Sequence, residues 1–360
     1  MPSSITVGVI ANPASGRDIR RLTSYASVFP TAEKANMVVR LLAGLGMLGV
    51  NRVLCLRDRT GVAALLLRAL DTHDAVASRQ RWPEVEFIDQ PITDSVADTH
   101  AGAAAMREAG VELIAVLGGD GTHRAVAAHC GRVPLLTLST GTNNAFPDLR
   151  EATVAGLAGA LVAAGAVPPE VALTRNKRLI VRCIDGPNCG REEIALVDVC
   201  VSRQRFVGAR AVSDPADIAE LFLTFAAPDG IGLSSIGGAW APVERTASHG
   251  LHLRFANPGE SGEAGVPLLA PIAPGRVERV VMRACERFEV GAWRPLDAEH
   301  GTLAFDGERE IELQRGDRYE VALDWEGPLT VDVERTLRYA VSRQLVRDVA
   351  VVANGVMHQT

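Results

Sequence analysis

The chain lacks several patterns that would place it in a common functional class. Its six cysteines are scattered without a C-x-x-C pair, which excludes a disulfide framework and a zinc site of the usual spacing. No stretch has the pattern of a transmembrane segment, since the longest weakly polar run, Ala152 to Pro168, is rich in alanine and glycine and ends in two prolines. We expect that run to form a buried helix.

An excess of charge of either sign is also absent. Lysine plus arginine number 37 and aspartate plus glutamate 43, a formal net charge of −6 without long runs, so we expect no nucleic-acid partner. Met1 to Pro13 lacks the basic leader and cleavage site of a secretory signal, and the chain has no basic amphipathic helix that would dock on a membrane. We therefore expect a soluble protein of the cytoplasm with no membrane partner.

The order of the patterns predicts the architecture of the first domain. A length of 360 residues favours about two domains. Up to residue 167, short β-branched runs alternate with helical patterns, which is typical of parallel βαβ units. The candidate strands are Ile5–Ile10, Arg52–Leu56, Glu84–Ile88, Leu113–Leu117 and Pro134–Leu138, and the candidate helices are Thr31–Leu45, Gly61–Leu70 and Ser95–Ala109. We predict an α/β nucleotide-binding domain over residues 1–167.

After Pro168 and Pro169 the pattern changes. Extended segments such as Arg178–Cys183, Glu193–Ser202 and Gly250–Phe255 are separated by glycine, proline and aspartate turns. We predict a β-rich domain over residues 168–328. A last segment, 329–360, would add the strand Leu329–Val333 and the helix Arg335–Val349 and pack back on the first domain.

The most informative stretch is a glycine loop. The apolar run Leu113–Leu117 leads directly into Gly118-Gly119-Asp120-Gly121-Thr122 and then into a helical pattern. Glycines let backbone N–H groups approach a ligand closely, and a helix N-terminus carries a partial positive charge, so this arrangement is suited to phosphate. Thr122 is the predicted N-cap.

Asp120 is unusual in a loop that binds anions. A carboxylate there can hold Mg²⁺ near phosphates or accept a proton from a substrate hydroxyl, so we take Asp120 as the candidate catalytic residue. The alternative is an ordinary strand-to-helix turn in which Asp120 is only a cap. A strand, a glycine loop and a helix in succession favour the functional interpretation.

Two further loops follow candidate strands, and the loop after Pro134–Leu138 should lie beside the glycine loop at the carboxyl edge of the sheet. One carries the candidate phosphate-binding residues Thr140, Gly141, Thr142, Asn143 and Asn144. The other carries Asn12, Ser15 and Gly16. These residue types also favour plain turns, so for both loops the structural alternative stays open.

At the glycine loop the sequence resembles a known superfamily. Gly118-Gly119-Asp120-Gly121-Thr122 resembles the signature shared by NAD kinases, diacylglycerol kinases and sphingosine kinases, and Asn12-Pro13-x-Ser15-Gly16 resembles the first loop of its lipid-kinase and ATP-NAD kinase-like branches. The resemblance implies an NAD kinase-like fold, α/β followed by a β-rich domain. Its members are commonly homo-oligomers, so a homo-oligomer is also expected.

The second half of the chain resembles the NAD kinase side more loosely. Ala195-Leu-Val-Asp198-Val199 is similar to the family's Ala-Leu-Asn-Glu/Asp motif, and Ala227 to Gly238 to its glycine-rich stretch, while Phe305-Asp306-Gly307 stands at its Asp-Gly turn. Within the superfamily the likeness is greatest to the acetoin catabolism protein X type. It is carried by Ala11 to Arg21, by Ala26 to Met37 and by Leu138 to Pro147.

The resemblance implies a kinase with ATP as donor and Mg²⁺ bound with the nucleotide, held by no direct protein cage except, at most, Asp120. Asp120 would contact the acceptor ribose, the glycines and Thr122 the diphosphate, and Asp198 a ribose or nicotinamide. NAD or NADH is the first acceptor implied. Val197, where NAD kinases carry an amide, and the altered Asp229–Gly232 segment favour another hydroxylated metabolite, and a nucleotide-binding regulator that has lost transfer is the third possibility.

Overall fold

The computed structural model describes residues 4–16, 24–26, 29–75, 80–141, 144–207, 211–212, 214–257, 265–296, 298 and 300–346. Two of the predicted phosphate-binding residues, Thr142 and Asn143, lie outside the described residues, as does the end of the predicted C-terminal helix. The remaining predicted site residues lie within them.

A parallel sheet forms the first part of the molecule. Its strands are β1 (Thr6–Ala11), β2 (Arg52–Cys55), β3 (Glu84–Phe87), β4 (Leu113–Gly118) and β5 (Leu135–Ser139). They pair in parallel in the spatial order β3-β2-β1-β4-β5. All five predicted strands are confirmed, with ends that move by one residue or so. β4 is buried along its whole length, as expected for a central strand covered on both faces.

Helices cover both faces of this sheet. They are α1 (Thr31–Met47), α2 (Val62–Ala75), α3 (Val96–Glu108), α4 (Asp120–Ala127) and α5 (Ala152–Ala163). The alanine- and glycine-rich α5 is buried against α1, as its composition predicted. Glycine is required at this crossing, because a Cβ on Gly44 would lie 2.4 Å from Thr153 O and one on Gly156 2.6 Å from Leu41 O.

The strand order creates a crevice at the carboxyl edge of the sheet. From β1 the chain proceeds outward to β2 and β3, and then crosses back to place β4 on the other side of β1. At such a switch point the loops after the two strands leave in opposite directions and leave a gap between them. The loops after β1, β4 and β5 therefore meet at one place.

The rest of the chain is mostly antiparallel. The short helices are α6 (Pro169–Ala172) and α7 (Ser234–Gly238), with a 3₁₀ turn at Pro215–Asp217. The strands are β6 (Leu173–Arg175), β7 (Arg178–Asp185), β8 (Glu192–Ala195), β9 (Asp198–Ser202), β10 (Ile218–Leu223), β11 (His249–Phe255), β12 (Val266–Ala273), β13 (Arg276–Glu289), β14 (Trp293–Pro295), β15 (Gly301–Phe305), β16 (Glu308–Leu313), β17 (Arg318–Asp324) and β18 (Leu329–Val331). The predicted fold class, parallel α/β followed by a β-rich region, is confirmed.

Two sheets build this second region, in the orders β12-β13-β11-β10-β9-β15-β16 and β14-β17-β7-β8. Phe222, Phe288 and Tyr319 pack between them. The sequence predicted one extended segment over Glu193–Ser202, and this is wrong, because the chain breaks between Ala195 and Asp198. The interruption is stabilised by a buried carboxylate, that of Asp306, which accepts backbone N–H groups there.

The end of the described chain returns to the first sheet. β18 pairs in parallel with β5 and antiparallel with β6, so these two strands extend the parallel sheet. The helix α8 (Val333–Ser342) follows and begins two residues before the predicted start. Asp332 caps it by accepting a hydrogen bond from Arg335 N at 2.9 Å. Within the described part of the chain, none of the helices combines the length and the apolar character that crossing a membrane requires.

Candidate functional site

Three loops converge at the carboxyl edge of β1, β4 and β5. The N–H of Asn12 donates to Leu117 O at 2.9 Å, and the N–H of Thr140 donates to Gly118 O at 3.0 Å. The backbone bonds of the sheet thus continue one step into the loops. The loops' positions are therefore fixed by the sheet itself.

The side chains of the first loop join it to the other two. Asn12 Nδ2 donates to Thr122 Oγ1 at 2.7 Å, and the hydroxyls of Ser15 and Thr140 share a hydrogen bond of 2.7 Å. Gly16 has a φ of +70°, and a Cβ there would lie 2.9 Å from Thr140 O. Asn12, Ser15 and Gly16 thus hold the loops in register.

A buried lysine lies beneath the first loop. Lys34, in the first turn of α1, is 0% exposed. Its ammonium group donates to Pro13 O at 2.8 Å and to Ser15 O at 2.7 Å. Lysine is rarely buried completely, and a charged donor makes strong hydrogen bonds to carbonyl groups. Apart from its place at a helix start, no feature of the sequence pattern assigns this residue to the site.

The glycine loop is tighter than the sequence suggested. The helix α4 begins at Asp120 with Gly119 as its N-cap residue, so the prediction that Thr122 is the N-cap is wrong. The turn follows β4 so closely that Thr122 already lies within the first helical turn. A Cβ on Gly118 would lie 2.4 Å from Thr122 Cβ, which excludes any larger residue.

Asp120 lies at the start of α4, with only 9% of the residue exposed. Its carboxylate accepts the N–H of Phe146 at 2.9 Å and the N–H of Ala145 at 3.1 and 3.2 Å. Both donors belong to the loop after β5. The second loop therefore fixes the direction of this carboxylate, and backbone N–H groups favour its ionised form.

The glycine loop and the second loop touch through glycine. A Cβ on Gly141 would lie 2.7 Å from Gly119 Cα and 2.3 Å from Asn144 Oδ1. Asn144 Oδ1 and Ser139 Oγ are buried and have no hydrogen-bond partner among the described residues. Buried polar atoms without partners are rare, so these two atoms mark a place where a polar ligand fits. Glycine cradles and a helix N-terminus fit a nucleotide phosphate group, whereas the Asn144 oxygen can only accept and fits a donor such as a ribose hydroxyl.

A cleft extends from Asp120 toward the second region. Asp198 and Asp306 line it with Asp120, and the other lining residues are Ala145, Val212, Ile231, Gly232, Leu233, Ser234, Ile272 and Gly307. Asp198 is buried and accepts the N–H of Gly307 at 3.2 Å. Asp120 and Asp198, predicted from distant parts of the sequence, thus share one cleft.

Asp306 holds the Asp198 segment in place. Its carboxylate accepts the N–H groups of Val197 at 2.8 Å, Leu196 at 3.0 Å and Asp198 at 3.3 Å. Burial raises the pKa of Asp306 to about 7, and the charge of Asp120 acts in the same direction, while Arg124 opposes the rise. Sequence reasoning noted the Asp-Gly pair as a turn but missed its role in this site.

Arg124 connects the glycine-loop helix to this carboxylate. Its Nε lies 3.6 Å from Asp306 Oδ2, and its guanidinium also bonds the carboxylate of Glu310. The arginine side chain is only 12% exposed. Neither its partners nor its burial could be predicted, because more than 180 positions separate it from Glu310 in the sequence.

His123 next to the signature is a structural residue in this arrangement. It is fully buried, and Nδ1 lies 2.9 Å from Gly119 O, so Nδ1 carries the proton. Burial lowers the pKa of His123 to about 4, which keeps the ring neutral at physiological pH. Its bond to Gly119 O stabilises the turn of the glycine loop.

The predicted residues of the three loops are therefore brought together: Asn12, Ser15, Gly16, Gly118, Gly119, Asp120, Gly121, Thr122, Thr140, Gly141 and Asn144. Gly121 faces the second region, where a Cβ would lie 3.7 Å from the carboxyl carbon of Glu308. In the described part of the chain, no group of three or more His, Cys, Asp or Glu side chains is arranged to hold a metal ion.

Comparisons with known proteins cover almost the whole chain. Residues 7–167 match the family model described as ATP-NAD kinase N-terminal domain, and residues 177–326 match that of the acetoin catabolism protein X C-terminal domain. Acetoin catabolism protein X of Cupriavidus necator is 44% identical over 341 residues, which are 95% of this chain and 94% of that protein. Among solved structures, yeast NADH kinase complexed with NADH is 15% identical, over 100% of this chain and 91% of that chain, at a TM-score of 0.49.

Proposed function

The chain belongs to the acetoin catabolism protein X family, with an NAD kinase-like fold, and on this premise we propose that it is an ATP-dependent, Mg²⁺-assisted kinase of a small hydroxylated molecule. One observation carries the proposal: Asp120 lies at the N-terminus of α4, where three loops of the parallel sheet meet, and faces a cleft shared with Asp198. This arrangement supports the proposal of a phosphate site and an acceptor site side by side.

In the proposed reaction the donor phosphates lie against the loops that contain Gly118, Gly119 and Gly141. The acceptor hydroxyl lies at Asp120, which accepts its proton as the oxygen bonds to the γ-phosphorus and ADP leaves with the electrons of the broken P–O bond. Mg²⁺ bound to the donor supplies charge neutralisation. The chain's own contribution is to position the two reactants, which is the main part of catalysis in phosphoryl transfer.

We propose the predicted division into 1–167, 168–328 and 329–360 as the domain organisation. The two family models, over 7–167 and 177–326, and the pairing of β18 with β5 support it. The homo-oligomer stays a prediction, which light scattering of the purified protein tests.

Two alternative classes of acceptor are proposed. NAD or NADH comes first, because the first domain matches the ATP-NAD kinase model. A smaller hydroxylated metabolite is the second candidate, because valine stands at position 197, where the NAD kinases that the sequence resembles carry an amide. A valine side chain cannot hydrogen-bond a nicotinamide amide or an adenine, whereas an amide side chain can.

The test is ATP consumption by the purified protein with Mg²⁺ and either NAD, NADH or a panel of small hydroxylated metabolites, with the phosphorylated product identified by ³¹P NMR. We expect stoichiometric phosphorylation of one acceptor class and its loss in Asp120→Asn. Nucleotide binding without transfer to any acceptor would instead support the nucleotide-binding regulator. Transfer that persists fully in Asp120→Asn would remove Asp120 from the mechanism.

A further inference from the structure

The second region supplies an arginine to the backbone that holds Asp120. Arg245 lies between Val243 and β11. Its Nη2 donates to Ala145 O at 2.5 Å and to Phe146 O at 2.9 Å. The N–H groups of the same two residues donate to the carboxylate of Asp120. The guanidinium and the carboxylate therefore bind opposite sides of one short backbone segment.

One peptide group connects them directly. The carbonyl of Ala145 and the N–H of Phe146 belong to the same peptide unit, so Arg245 Nη2 lies 2.5 Å from its oxygen and Asp120 Oδ1 lies 2.9 Å from its nitrogen. A cation at the carbonyl draws electron density toward the oxygen and makes the N–H a stronger donor. Hydrogen bonds in such a chain strengthen one another.

Packing holds the guanidinium at this place. Its central carbon lies 4.3 Å from the ring centre of Phe225 and 5.2 Å from that of Phe146. Phe146 and Phe225 form a buried cluster with Leu196 and Val197, at the junction of the two regions. Burial lowers the pKa of Arg245, and the charges of Asp148 and Asp120 oppose this, so the group stays a cation.

We propose that Arg245 is a positioning residue that orients Asp120 and favours its ionised form through the Ala145–Phe146 peptide. The second domain thereby helps to hold the Asp120 carboxylate of the first domain. If the two domains separated, this carboxylate would lose its fixed orientation, and Arg245 would no longer favour its ionised form. The role of Asp120 in turnover rests on the proposed function. The electrostatic link from Arg245 to Asp120 is a property of the fold and can be measured without turnover.

Other charged groups surround Asp120, and the test must separate them from Arg245. Asp198 and Asp306 lie in the same cleft, and Glu308 lies close to Gly121. Arg124 and His123 follow Asp120 on α4, and Asp148 follows the second loop. Because these groups stay unchanged when Arg245 alone is replaced, a change in Asp120 reports the arginine.

The experiment titrates Asp120 by ¹³C NMR in protein labelled at the aspartate side-chain carboxyl carbon, its resonance being assigned by its loss in Asp120→Asn. Arg245→Gln removes the charge, and we expect the titration midpoint to rise by about one pH unit. Arg245→Lys keeps a charge but not the planar fork, so an intermediate midpoint is expected. Arg178→Gln is the matched control, since Arg178 is also half-buried but pairs with Asp324 on β7 and β17.

Equal midpoints in wild type and Arg245→Gln would overturn the proposal, and if only Arg245→Lys folds, an unchanged midpoint there would do the same. Kinetics give a separate readout. Arg245→Gln should lower kcat about tenfold with little change in the acceptor KM. As the pH is lowered, the variant should lose activity at a higher pH than the wild type, because Asp120 becomes protonated sooner. If the wild type phosphorylates no acceptor, the proposed function fails, while the NMR titration still decides the role of Arg245.

Discussion

Two of the three aspartates that line the cleft, Asp120 and Asp198, are held in different ways. Asp120 belongs to a contiguous strand, loop and helix, and it accepts N–H groups from the next loop of the same sheet. Asp198 is the first residue of β9, directly after the interruption that follows β8, and Asp306, more than 100 positions later, holds that segment. The position of Asp120 follows from local chain geometry, whereas the position of Asp198 depends on a buried carboxyl group that is distant in the sequence. The two should therefore respond differently to substitution.

The largest difference is expected in catalysis. Asp120→Asn should lower kcat by about 10²- to 10⁴-fold, because the amide cannot accept the proton. Asp198→Asn should mainly raise the acceptor KM, because in the proposed reaction Asp198 contacts the bound acceptor and takes no part in proton transfer. Steady-state kinetics on the identified acceptor, with melting curves to show that both variants fold, make the comparison. Equal losses of kcat in the two variants would contradict the assigned roles.

The next difference concerns stability. Asp306→Ala should lower the free energy of unfolding by about 3–5 kcal/mol, because three buried backbone N–H groups lose their acceptor and Arg124 loses one of its two carboxylate partners. Asp306→Asn keeps an acceptor oxygen and should cost less. Urea denaturation measures both. If the alanine variant were as stable as the asparagine variant, the segment around Asp198 would keep its conformation without an acceptor at position 306.

A third prediction uses pH to separate the regions. The pKa of His123 is about 4 in the folded protein, below the usual value of about 6.5, so its contribution to stability is present above pH 6.5. It is lost as the pH falls from about 6.5 to about 4, by an amount on the order of 3 kcal/mol. The pKa of Asp306 is raised to about 7, so its contribution is present below about pH 4 and is lost as the pH rises to 7.

These two trends oppose each other in the wild type, and single variants separate them. His123→Gln should remove the fall in the free energy of unfolding as the pH is lowered. Asp306→Asn should remove the fall in the free energy of unfolding as the pH rises toward 7. Unfolding free energies at several pH values between 4 and 8 give the slopes. A His123→Gln protein with the wild-type pH dependence would show that the imidazole does not contribute.

The smallest effect is expected at the first loop. Lys34→Met should cost about 1–3 kcal/mol, because the carbonyls of Pro13 and Ser15 lose a buried donor. Arg40→Met is the matched control on the same helix, since its side chain is 41% exposed and its ion pairs are solvated. Denaturation of both variants measures the difference. Equal costs would mean that the lysine acts only through helix packing.

Sequence patterns predicted the parallel sheet well, because hydrophobic runs and glycine turns are local signals. The candidate strand Leu113–Leu117 and the glycine loop after it are close to the observed geometry, although the helix begins at Asp120 and the predicted cap at Thr122 is wrong. The second region was predicted as β-rich, but the break between Ala195 and Asp198 was missed. No local pattern signals a break that a residue at position 306 stabilises.

The sequence by itself determined the glycine loop, its carboxylate and the family. Each of these depends on residues that are adjacent in the sequence, and the conformation of a glycine loop is set by short-range interactions. Only the tertiary structure decided which side chains face one another. Lys34 lies beneath the first loop, Arg124 bonds to Asp306, and Arg245 reaches the peptide that holds Asp120. These contacts join residues up to 182 positions apart. Burial strengthens the electrostatic interactions of these charged groups, and it arises only when the two regions have packed together.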